Sequence, residues 1–532
     1  MSKPFIALSI GLALVCSSTP AAQDHHLGTV HFKNSCSTLV QDQFDRSMAL
    51  LHSFEFGPAI EGFTAITKAD ASCAMAFWGI AVARWTNPFA AMVRPPAQLQ
   101  QGLDAITAAE KAGAWTVREK EYIAALKILY ADPAQPQPAR LVAYEKAMAA
   151  LAAKYPDDTE ATIFWALSLT ASAVPTDKTY ANQLKAAAIL EKLYPQQPNH
   201  PGITHYIIHS YDAPALADRA VAAARRYANI APESSHALHM PSHIFTRVGA
   251  WDDSITSNLA SADAARKANN VGEALHATDY LAYAYLQTGQ DAKVQALFKQ
   301  LPALAAQFDP AKVEGAASGV GGTFALAAIP ARQALEHRDW KTAAALAMAP
   351  STRYPYTDAM THFARALGAS HTGALDAARA AIATLDTISK NLATAGEGYW
   401  TQQVAIQRDG AAAFLALAEG KRDEALRLMQ ATALREDATD KSAVTPGPLA
   451  PARELLGDML LELKQAAPAL REYQAVLKKE PNRFRATYGA AKAASLSGDA
   501  AGARTYFQQL VKLCPKGDAP GRAELEEARK AR

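Results

Sequence analysis

A chain of 532 residues is too long for one ordinary hydrophobic core, so it forms several domains or one extended repeat array. Charged residues are 20% of the chain and the formal net charge is only +2, without long basic or acidic runs, which argues against an electrostatic nucleic-acid partner. The Ala- and Leu-rich composition favours helices throughout.

Residues 1–22 have the grammar of a cleavable signal peptide. Lys3 supplies the positive end, Phe5 to Val15 the apolar stretch, and Thr19-Pro20-Ala21-Ala22 a small-residue exit. The expected destination is periplasmic or secreted. Val15 is a poor residue before a lipidated cysteine, so the expectation is a soluble protein, not one anchored through Cys16. No later stretch is long and apolar enough for a transmembrane segment. In an oxidising compartment Cys36 and Cys73 can pair, although two buried thiols fit equally well; Cys514 has no obvious partner.

The mature chain reads as helix pairs. Leu50 to Phe54 turns at Glu55-Phe56-Gly57 into a second helix from Pro58, and Cys73 to Arg84 opens another pair around Trp78-Gly79. Tyr155-Pro156, Tyr194-Pro195 and Ala231-Pro232 mark helix ends, because proline cannot continue a helix. Gly315 to Gly322 is the clear glycine-rich break. Beyond it, pairs are expected at 323–349, 356–391 and 397–435, then a well-formed unit from Glu454 to Pro481-Asn482 and another from Tyr488 to Leu513. Small residues at helix crossings, Tyr473 in a second helix and a closing proline are the packing signature of the tetratricopeptide unit. The expected fold is all-α, a right-handed α-solenoid of roughly twelve such pairs. It divides into an N-terminal array at 23–310, a C-terminal array at 323–515 and a charged tail at 516–532.

Half of the fourteen histidines crowd into residues 200–276. His205 and His239 are 34 residues apart, as are His209 and His243, and 34 is the length of one tetratricopeptide unit. Helices starting near Pro201 and Ser235 place each pair fifth and ninth in an inner helix. A third inner helix, anchored on Gly289, puts His276 second and Asp279 fifth. Stacked first helices form the concave wall of such a solenoid. Side chains four apart share a helix face, and neighbouring helices pack at about 8–10 Å. His205, His209, His239, His243, His276 and Asp279 are therefore the candidate metal ligands, for copper, zinc or iron. Pro241 complicates this: if it starts a helix, His239 becomes a flanking residue and not the partner of His243. His236 reads equally as packing or as a site residue, and a groove that binds an acidic peptide without metal is the main alternative. No Gly-x-Ser-x-Gly elbow or HExxH motif is present, so a familiar hydrolase is unsupported.

Several strings together resemble a family of exported bacterial tetratricopeptide-repeat proteins. They are His31-Phe32 with Cys36, Cys73 to Gly79, His200-Pro201-Gly202-Ile203-Thr204-His205-Tyr206-Ile207-Ile208-His209, His239-Met240-Pro241-Ser242-His243-Ile244, and Pro481-Asn482-Arg483-Phe484. The resemblance spans nearly the whole mature chain and implies the fold and export; it brings no established activity. The expected function is a binding or scaffold protein that offers its concave groove to a peptide or protein ligand, or to a metal. A metalloenzyme built on the same histidines is the alternative, and the sequence leaves the question of enzymatic activity open.

Overall fold

Prolines and side-chain caps set the helix starts. Pro96, Pro201, Pro241 and Pro355 each occupy a first helical position, where the missing N–H is no loss and the fixed φ suits the turn. Asp158, Ser234, Asn270 and Asp499 accept hydrogen bonds from backbone amides two or three residues on, satisfying donors that a helix start leaves free. The computed structural model describes residues 27–531, apart from 91, 114–115, 313–314, 318 and 350–353. The expected signal peptide lies outside the described residues.

Among the described residues every regular element is a helix. Each helix packs on its successor, and many also on the next but one, which is the contact pattern of stacked pairs. The fold is an α-solenoid of tetratricopeptide-like helix pairs. The pair expected at 323–349 forms as Val320–Glu336 and the short Trp340–Ala344; those at 356–391 and 397–435 form as Pro355–His371 with Leu375–Thr394, and Gly398–Ala418 with Arg422–Asp437. The last two units are Ala452–Glu462 with Ala466–Lys479, and Phe484–Leu496 with Ala500–Leu513. Residues 516–532, expected as a charged tail, carry a further helix, Ala523–Ala531, with Leu525 and Ala528 buried. Among the described residues no helix is long and apolar enough to cross a membrane.

The array curls until distant units touch. Trp251 Nε1 donates to the Asn482 carbonyl at 2.8 Å, and Asn482 Nδ2 donates to the Gly249 carbonyl at 3.1 Å. Gly249 is required there. Its φ is +68°, and a Cβ would stand 2.3 Å from the Pro481 carbonyl oxygen. Arg483, fully buried, binds Glu454 at 2.7 and 2.9 Å, Glu336 at 3.1 Å and the Tyr283 hydroxyl at 3.0 Å. Such a guanidinium fork satisfies carboxylates that would otherwise be buried at high cost.

Curling leaves an interior, and residues 438–451 run through it. Tyr280 donates its hydroxyl proton toward the carbonyls of Thr445 at 3.1 Å and Ala443 at 3.2 Å, and Arg332 donates to the Pro448 carbonyl at 3.0 Å. Lys441 Nζ lies 3.3 Å from Asp212. A connecting segment thus occupies the concave side beside the histidine-bearing helices.

At the N-terminal end Cys36 and Cys73 form a disulfide, with their Cα atoms 4.6 Å apart. It ties the extended leader, whose Phe32 packs against Phe44, Trp78 and Tyr122, to the first helix pairs. Cys514 is a buried free thiol. The bond spans 37 residues of sequence, so loop closure gives it about 3–4 kcal/mol of stabilisation against the unfolded chain. Cys36→Ser should lower the urea midpoint of the N-terminal transition, and reductant should lower the parent to the same value.

Candidate metal centre

The Pro201–Tyr211 and Ser235–His239 helices begin where the sequence places them. Pro241 does start a new helix, Pro241–Arg247, but Met240 keeps right-handed helical angles between the two. The chain therefore continues almost as one helix, and His239 stays beside His243: their Nε2 atoms are 3.1 Å apart. The third inner helix, Val271–Gln287, begins four residues earlier than its glycine anchor implies, and His276 sits in its second turn.

Six imidazoles meet in two groups. His205, His209 and His236 bring one ring nitrogen each within 4.8 Å of one another, and His239, His243 and His276 do the same. The groups adjoin: ring centroids are 5.9 Å apart between His209 and His243 and 6.0 Å between His236 and His239. All six side chains are buried.

Hydrogen bonds at the outer ring edges decide which nitrogen faces inward. Asn258 donates through Nδ2 to the Ser254 carbonyl, which turns its Oδ1 toward His239 Nδ1 at 2.7 Å. That imidazole must carry its proton on Nδ1. His243 Nδ1 lies 2.9 Å from Asp212 Oδ2, and His205 Nδ1 lies 2.7 Å from the His52 carbonyl oxygen, so both donate outward too. Each of the three turns the Nε2 lone pair inward, and that of His243 has the Tyr280 hydroxyl 3.4 Å away. For His239 and His243 the two lone pairs confront each other at 3.1 Å. Protonating one ring would relieve the clash, but burial opposes it. Burial, against the pull of Asp212, brings His243 down to about 4; burial, against Glu273, brings His276 down to about 3. Burial likewise drives His205, His209 and His239 well below the usual imidazole value.

The remaining nitrogens are equally exposed to this problem. His205 Nε2, His209 Nε2, both nitrogens of His236 and His276 Nδ1 are buried without a hydrogen-bond partner. Five such atoms at about 1–3 kcal/mol each would cost about 5–15 kcal/mol, as much as the net stability of a whole domain. A narrow cavity lies beside His209, His236, His243 and His276. A cation accepting these lone pairs would answer both difficulties.

Asp212 organises one edge. It accepts from Arg247 Nε at 2.8 Å and from His243, with Lys441 Nζ at 3.3 Å. Burial pushes its carboxyl up, but Lys441, Arg247 and His243 together hold it well below the usual range. Asp279, on the helix of His276, is in neither group. It is buried 3.4 Å from Arg332 Nε, and Arg332 grips the carbonyls of Gly447 and Pro448. The structure thus gathers five of the six sequence candidates and leaves Asp279 holding the arginine that fixes the inner segment.

His236, which reads in sequence equally as packing or as a site residue, stands with the first group. A further buried set, His52, Glu160 and His200, has no 34-residue echo to reveal it. Glu160 accepts from His52 Nε2 at 3.0 Å and His200 Nε2 at 2.8 Å, while His52 Nδ1 meets the Tyr206 hydroxyl at 2.9 Å. Burial pushes Glu160 up, and His52 and His200 overcome it to hold the carboxyl below its usual value. Gly202 makes room for this clamp, since a Cβ there would stand 2.5 Å from His52 Nδ1. With its donors and acceptors already paired, the clamp braces the first histidine helix.

No family model and no curated protein matches the chain. Among solved structures, the Cut9–Hcn1 hetero-tetramer of the APC/C is similar at 11% identity and a TM-score of 0.37, over 92% of this chain and 76% of that one. Human IFIT1 bound to m7Gppp-AAAA is similar at 10% and 0.37, over 83% and 90%; yeast Tom70 at 8% and 0.33, over 93% and 95%. Scores this low say nothing about ligand, partner or activity.

Replacing Asp212 by Asn would leave Arg247 and Lys441 buried without their counter-charge. Asp212→Asn should lower the unfolding free energy by about 3–5 kcal/mol in denaturant titrations. A loss under 1 kcal/mol would show that this edge is not held electrostatically.

Proposed function

We propose that this chain is an exported helical-repeat metalloprotein, whose buried imidazole cluster holds a transition metal on His205, His209, His236, His239, His243 and His276. The observation that carries the reading is the pair of lone-pair-bearing Nε2 atoms of His239 and His243 at 3.1 Å, with both outer Nδ1–H groups committed. Imidazole nitrogens without thiolates suit copper, zinc or iron. The Cys36–Cys73 disulfide supports an oxidising, hence periplasmic or secreted, location.

A groove that displays its histidines to a peptide is less well supported, because the chain's own residues 442–444 line that side of the cluster. A protein partner would dock on another face of the solenoid. One observation favours catalysis over storage or structure. The cavity at the cluster shares Tyr356 and Trp400, rings stacked 3.9 Å apart, with a larger cleft also lined by Tyr283, Tyr399, Arg247 and Lys441. A metalloenzyme needs space beside a coordination position that the protein leaves open.

Protein purified without a His-tag from metal-supplemented cells should retain near-stoichiometric metal by elemental analysis. His205→Ala and His243→Ala should each lower that content. Tag-free protein that neither carries copper, zinc or iron nor takes them up would overturn the reading.

A further inference from the structure

Resting on the metal-holding reading, we infer that the centre is dinuclear, with one late first-row transition ion on each histidine triad. The first ion belongs to His205, His209 and His236, the second to His239, His243 and His276. A single ion cannot use all six rings. An ion about 2.0–2.1 Å from each nitrogen spaces its donors about 3.3–3.6 Å apart. Within a triad the donor atoms lie inside 4.8 Å, so modest ring rotations close the shell. Across the triads the ring centroids are 5.9 and 6.0 Å apart, which separates two centres without isolating them.

Each triad has its own support. In the first, His205 is oriented by the His52 carbonyl, and His236, its Nδ1 3.9 Å from Glu273 Oε2, offers two nitrogens that make no hydrogen bond while its ring stacks on Phe54 at 5.7 Å. In the second, Asn258 and Asp212 orient His239 and His243, and His276 stands 4.4 Å from His239, ring to ring. Helix packing next to His276 is close: Gly321 would place a Cβ 3.3 Å from the His276 Cβ. The other groups of potential ligands are already committed. The His52–Glu160–His200 set pairs within itself, and Cys36 and Cys73 are bonded to each other.

The donor set also restricts the ion. Six imidazole nitrogens disfavour magnesium, calcium and manganese, which prefer oxygen ligands, and the carboxylate beside the first triad is Glu273, whose Oε2 lies 3.9 Å from His236 Nδ1. Copper stands at the top of the affinity order for nitrogen sites, so copper is the probe of choice. Three protein donors per ion leave a position open on each, and the cavity lined by His209, His236, His243 and His276 lies along both triads.

The test is to strip the full chain of metal, titrate it with copper(II) in a glycine buffer that strips weakly held ions, desalt it, and count copper and unpaired spins. The parent should retain two coppers with a spin count far below two, because neighbouring copper(II) ions couple. His236→Ala and His276→Ala, checked for parental helix content by circular dichroism, should each retain one copper with about one spin. If either variant fails to fold, the parent's stoichiometry and spin count still decide. One copper on the parent, or two with two independent spins, would overturn the dinuclear centre while leaving the metal-holding reading in place. No retained copper, zinc or iron would remove both.

Discussion

The structure depends on how buried imidazoles are satisfied. A helical repeat can stack apolar faces indefinitely, yet this one buries six histidines, and the oriented rings find strong protein partners at their outer edges. The outer edges are well provided, by an asparagine amide, an aspartate and a backbone carbonyl. The inner edges point at one another. In an ordinary core such an arrangement would be eliminated, since the cost rivals the stability of a domain. Its persistence makes sense when a cation supplies what the protein withholds, and the outer hydrogen bonds then act as orienting braces that fix each tautomer.

The rest of the solenoid can be understood as the enclosure of that cluster. The Glu160 clamp fixes His52 and His200 at the start of the first histidine helix. Asp212 links the second to Arg247 and to Lys441 of the inner segment. Asp279 holds Arg332, which in turn pins Gly447 and Pro448. Arg483 draws the last repeats against the third inner helix through Tyr283, Glu336 and Glu454. A buried ion pair of this kind is weak evidence of stability, but it is strict about register, because one displaced partner leaves a charge stranded.

Much of this was legible in the sequence, for a physical reason. A 34-residue echo repeats a side chain on the same face of the next unit, so His205 with His239 and His209 with His243 announced a shared wall before any coordinates. Proline positions fixed two of the three inner helix starts. The third had no proline, and the glycine anchor placed its start four residues late. His236 was undervalued because it has no counterpart one unit earlier: position 202 is Gly, left small to admit His52. Helix face alone does not reveal that Asp279 meets the Arg332 cation, which arrives from a helix more than fifty residues downstream. The inner segment 438–451 was invisible for the same reason. Its contacts with Tyr180, Tyr280 and Arg332 reach residues some 100 to 260 positions away, and nothing in its local pattern records them.

X-ray absorption at the edge of the retained metal tests the central claim most directly. The account predicts a first shell of imidazole nitrogens at about 2.0–2.1 Å, with outer-ring scattering from three histidines per ion and no sulfur. A shell dominated by sulfur, or by oxygen without imidazole scattering, would contradict it.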